Sequence, residues 1–73
     1  MDYLRYLDEK LRNAIADSLR EGRPELAVAL DTARDALEAV IDEADPTSTR
    51  IAVARARGEI ALEVWREATE VRH

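Results

Sequence analysis

Apolar residues recur at helical spacing along almost the whole chain. With residues placed at about 100° intervals, Leu4, Leu7, Leu11, Ala14, Ile15, Ser18 and Leu19 share one face. That arc spans about 160°, with Tyr3 at one border and Asp8 near the other. A second segment carries Leu26, Leu30, Ala33, Leu37, Val40 and Ala44 at alternating intervals of four and three residues, a heptad seam widened by Ala29, Ala36 and Ile41. No stretch alternates with period two for long, and Ala, Leu, Glu and Arg dominate, so strands are excluded.

Breakers confine the helices. In Glu21-Gly22-Arg23-Pro24, glycine can close one helix in the left-handed conformation and proline suits the first turn of the next. In Glu43-Ala44-Asp45-Pro46, Asp45 is positioned to cap a helix that Pro46 begins. Three helices are therefore predicted, over residues 3–21, 24–44 and 46–71. Thr47-Ser48-Thr49, poor in a helix interior and good as caps, allow the third to start later. Connections of two or three residues make consecutive helices antiparallel neighbours, so the expected fold is an all-α, up-down-up three-helix bundle forming a single domain over 1–73.

The third helix carries two apolar stripes. Ile51, Ala54, Gly58, Ala61, Trp65 and Ala68 form a heptad stripe with Leu62 beside it. Val53, Ile60, Val64 and Val71 form another, with Arg57 in line, and together the two cover about 200°. A bundle of three asks less of any one member. Small residues at 54, 58 and 61 let a neighbouring backbone approach, and a mid-helix glycine costs ~1 kcal/mol without a packing reason. The first stripe is accordingly assigned to the core. The second has two readings. It is either the flank of the core, with the Arg57 stem laid along its edge, or a face that docks on another molecule through Val53, Arg57, Ile60, Val64 and Val71. Arginine is common at interface centres and rare in cores, and no carboxylate on the facing helices lies level with Arg57, which favours docking on a protein partner or a second copy. Tyr6, opposite the leucine stripe, is a secondary anchor candidate. Val28, Thr32 and Ala39 form a small patch expected simply to face solvent.

Composition narrows the function classes. The chain has 73 residues with no cysteine, so stability must come from helix packing or a partner rather than from cross-links. The net charge is −5, and residues 23–45 alone hold 2 basic and 7 acidic side chains. That makes the second helix an acidic ridge, which disfavours nucleic acid and reads as a solvated face. No apolar run approaches ~20 residues, so no membrane span is expected. Met1-Asp2-Tyr3-Leu4-Arg5-Tyr6 lacks the basic and apolar regions of a secretion signal, and a soluble protein compatible with the cytoplasm is expected, its compartment unspecified.

Catalytic chemistry finds little footing. A triad on Ser18 or Ser48 would depend on His73, the only histidine, at a terminus prone to fraying. Glu70-Val71-Arg72-His73 has the Glu-x-x-His spacing of di-metal bundles, but those sites need several inward carboxylates and only Asp8 borders an apolar arc. There is no glycine-rich phosphate loop. Neither enzyme activity nor a metal or cofactor is expected.

Near-equal helices, the connections Gly22-Arg23-Pro24 and Ala44-Asp45-Pro46, and exposed faces of alternating charge resemble de novo designed three-helix bundles. The likeness spans the chain but is stylistic. It implies a stable scaffold or a small binder presenting one rigid helix face. Ten arginines against one lysine, and the less idealised Thr47-Ser48-Thr49-Arg50, depart from the pattern and fit a small natural bacterial or phage regulator. The sequence thus leads to a non-enzymatic helical mini-protein that binds a partner or itself through its third helix. A partnerless scaffold is the alternative.

Overall fold

The computed structural model describes residues 2–71, Val71 as backbone only. Three helices, α1 (Asp2–Arg20), α2 (Pro24–Ile41) and α3 (Ser48–Val71), pack pairwise into an all-α bundle measuring 42 × 18 × 17 Å. The pairing of α1 with α2 is the most extensive, and that of α1 with α3 the least.

The α1–α2 connection forms as the sequence predicts. Gly22 takes φ 71°, the Arg23 N–H bonds the Ser18 carbonyl at 2.8 Å, and the Gly22 N–H bonds Leu19 at 3.1 Å. These two bonds satisfy carbonyls that the last turn of α1 leaves open. Pro24 then starts α2. Arg23 also donates to the carbonyl of Ala68 in the last turn of α3, where the helix dipole favours a cation.

The α2–α3 connection differs from the expectation. It runs over six residues, 42–47, rather than two or three. Helix α2 stops at Ile41, not at residue 44, and α3 starts at Ser48, not at residue 46. Two physical causes act together. Pro46 cannot continue a helix, because its ring clashes with the carbonyl four residues back and it has no N–H to donate. Asp42 and Glu43 also sit where the α2 dipole disfavours negative charge. Asp45 and Pro46 therefore do not serve as cap and first helical residue. That capping role falls to Thr47, whose Oγ1 accepts the Arg50 N–H at 3.2 Å. Arg50 and Glu43 form an ion pair across the connection at 2.6 Å.

The core is built mainly from α1 and α2. Leu4, Leu7, Leu11 and Ala14 meet Leu30, Ala33, Leu37 and Val40, and Leu11, Leu30 and Leu37 are wholly excluded from solvent. Among the described residues, helix α3 adds only two buried ones, Ala54 and Gly58. Ile51, Ala61, Leu62 and Trp65 are partly buried around them. A Cβ at Gly58 would lie 3.0 Å from Leu37 Cδ1, 3.6 Å from Leu7 and 3.7 Å from Leu11. The glycine thus serves the close approach expected of it. Leu19, expected on the core face, is exposed; it lies at the edge of the α1 arc in the last turn.

Asp8 is buried and holds α1 to α2. It faces Arg34 at 3.4 Å and Arg12 at 3.3 Å, and Arg34 also meets Glu38 at 2.6 Å. Asp8–Arg12 and Arg34–Glu38 are each four residues apart, the spacing that makes neighbours on one helix. Arg66 pairs with Glu63, three residues before it, and Glu59 accepts the Tyr3 hydroxyl.

Candidate interaction face on α3

The two α3 stripes divide as the sequence leads one to expect. Ala54 and Gly58 are buried, while Val53, Ile60 and Val64 are 45%, 62% and 49% exposed. The helical period causes this division. Residues 54 and 58 face α1 and α2, whereas 53, 60 and 64 lie about 100° or more around the helix, beyond the reach of two neighbours. The structure thus brings four of the five expected contact residues, Val53, Arg57, Ile60 and Val64, onto one open face. The side chain of Val71 and the Glu70-to-His73 spacing lie outside the described residues.

This face borders a shallow groove between α2 and α3. At one end the groove is lined by Ala36, Ala39, Val40 and Val53, and at the other by Leu26, Ala29, Thr32, Ile60 and Val64. Arg57 stands where the two halves meet. Small side chains on the α2 bank keep the groove open to a third helix-sized body. Arg57 is exposed, and among the described residues no carboxylate lies within ion-pairing distance of it. The α2 acids Asp31 and Glu38 both pair with Arg34.

Tyr6 lies on a different side, over the α1–α3 seam. It stacks on Tyr3 with ring centroids 6.1 Å apart, and Lys10 Nζ sits 5.4 Å from its ring. Tyr3, Tyr6 and Lys10 follow the three- and four-residue intervals that make neighbours on a helix, so this cluster is local to α1. It forms one wall of a polar recess with Glu59, Glu63 and Arg66. Tyr6 therefore does not join the α3 face.

One member of that face escapes a reading based on apolar residues alone. Glu67 follows Val64 by three residues and continues the intervals that link Val53, Arg57, Ile60 and Val64. It is exposed, and among the described residues it has no ion-pair partner. The signal that finds it is the spacing.

Among the described residues no group of three His, Asp or Glu side chains is gathered to hold a metal ion. No described helix is long and apolar enough to cross a membrane. The chain matches no family model, no curated protein and no solved structure.

Proposed function

We propose that the chain is a non-enzymatic interaction module whose outer α3 face receives an amphipathic helix of another polypeptide. The observation that carries this reading is the exposure of Val53, Ile60 and Val64 in a single stripe, on a helix whose opposite stripe already closes the core. About half of each of these side chains remains to be covered, worth roughly 1 kcal/mol apiece on burial. Arg57, in line with them, selects an incoming helix that carries a carboxylate at the matching position. The likeness to designed bundles supports the same reading, that of a small rigid scaffold presenting one helix face. The self-contained packing of Leu11, Leu30 and Leu37 favours a second reading, a stand-alone scaffold with no partner.

One titration separates the two. The isotope-labelled chain is mixed with a helical peptide bearing a leucine heptad and one glutamate, and amide chemical shifts are followed. Saturable changes are expected at residues 53, 57, 60 and 64, and the paired Val53→Glu and Ile60→Glu substitutions should abolish them while circular dichroism stays helical. No response, or a response centred on another face, refutes the proposal and leaves the partnerless scaffold.

A further inference from the structure

The charge pattern of the α3 face identifies which helix fits it. Val53, Arg57, Ile60, Val64 and Glu67 follow one another at intervals of four, three, four and three residues, and position 71 adds another four. This is the alternating a/d spacing of a coiled-coil seam. It is separate from the core seam through Ala54, Gly58, Ala61 and Trp65. Its two charged members have opposite signs and lie symmetrically about residue 62, as do Ile60 and Val64. Read in either direction, the seam presents the same order of shapes with complementary charges.

We propose that α3 is a self-complementary dimerisation helix. A second copy of the chain docks antiparallel on this face, so that Arg57 meets Glu67 of the partner subunit and Ile60 packs on Val64 of the partner subunit. The inference rests on the proposed role of the α3 face and names its occupant. In an antiparallel pair an a residue shares its layer with a d residue, and residues equidistant from position 62 fall in common layers. A parallel pair would instead set Arg57 against its own copy and Glu67 against its own copy, like charge on like. In the antiparallel register shifted by one heptad, Ile60 of the partner subunit would cover Arg57 and strip its water without supplying an anion. Among the described residues neither charge has an ion-pair partner. The two-fold arrangement forms the Arg57–Glu67 contact twice, which doubles the effect of any change to it. On the α2 bank, Ala29, Ala36 and Ala39 leave room for the incoming helix.

Light scattering and sedimentation from about 1 µM to 1 mM, a span covering typical weak self-association, read the result directly. The wild-type chain is expected to pass from one to two chain masses as concentration rises. Arg57→Glu and Glu67→Arg each place like charges in two layers and should raise the dissociation constant by roughly tenfold or more. The double variant Arg57→Glu/Glu67→Arg remakes both pairs with reversed polarity and should recover to within about threefold of wild type. Both residues are exposed, so all variants keep the helical spectrum. A single chain mass at every concentration overturns the inference, as does a dimer in which the double variant is as weak as the product of the singles or in which no variant matters. A chain that stays monomeric yet binds the helical peptide on α3 overturns self-pairing alone, whereas a peptide that perturbs other faces overturns the reading beneath it.

Discussion

Replacing Gly58 tests how α3 is held. Alanine and leucine at this site pull in separable directions. Alanine removes the conformational freedom of glycine, a gain of ~1 kcal/mol in a helix interior. Against this, its Cβ arrives 3.0 Å from Leu37 Cδ1, and Leu37 is wholly enclosed. The two effects nearly cancel, and Gly58→Ala should change stability by less than about 1 kcal/mol. Leucine has a similar helix preference but adds three more carbons among Leu7, Leu11 and Leu37, all buried. Overpacking of this kind costs ~1–3 kcal/mol, so Gly58→Leu should lose about 2 kcal/mol. In a domain this small that lowers the melting temperature by roughly 8–16 °C. Urea titration followed by circular dichroism, repeated at several protein concentrations, measures both variants. A leucine variant as stable as wild type would mean that Gly58 faces open space, and the assignment of the two α3 stripes would be reversed.

Three further outcomes follow from individual contacts. Asp8→Ala leaves the largely covered Arg34 facing the core edge without its inner carboxylate and should cost about 1–3 kcal/mol in urea titration, since Glu38 still pairs with it; a loss below about 0.5 kcal/mol would show the buried pair to be neutral. Thr47→Ala removes the α3 cap and should cost ~1 kcal/mol, while Asp45→Ala should stay within about 0.5 kcal/mol, and the reverse order would restore Asp45 as the cap. The hydrogen bond to Glu59 at 2.5 Å, with slight desolvation and the Glu59 charge, raises the Tyr3 phenol above its ordinary 10.0. Its stabilisation is complete below that ordinary value and is lost as pH rises through the raised one; Glu59→Gln should lower one tyrosine midpoint in an absorbance titration, and an unmoved midpoint refutes the contact.

Periodicity made the bundle legible wherever a side chain's fate depends on its angle around a helix. Leu4, Leu7 and Leu11 of α1, the α2 seam from Leu26 to Val40 and the described members of both α3 stripes lie where their spacing places them. Gly22 was equally legible, because a left-handed residue followed by proline has few alternatives. Pro46 was not. A proline both ends one helix and suits the start of another, and choosing between these roles requires weighing the acidic end of α2 against the cap offered by Thr47. Leu19 misled because it stands at the edge of the apolar arc, where angle alone separates core from solvent poorly. Asp8 was legible only as a border residue, since its burial depends on two arginines, one of them on another helix. Glu67 was hidden by its type, because a search for grease passes over a carboxylate even when its position belongs to the seam.

Among the described residues α3 buries only Ala54 and Gly58 in the core, with Ile51, Ala61, Leu62 and Trp65 partly covered around them, and one six-residue strap joins it to α2. The α1–α2 hairpin owns nearly all the leucine packing and can keep much of its order when α3 swings away. Amide hydrogen exchange should then report two tiers of protection, with the third helix surrendering its protons first. Any molecule that clasps the far side of α3 would close that gap: at a hundredfold excess over its dissociation constant it would raise the resistance to opening by about 2.7 kcal/mol. Heat tolerance in this chain would then track how much company it keeps.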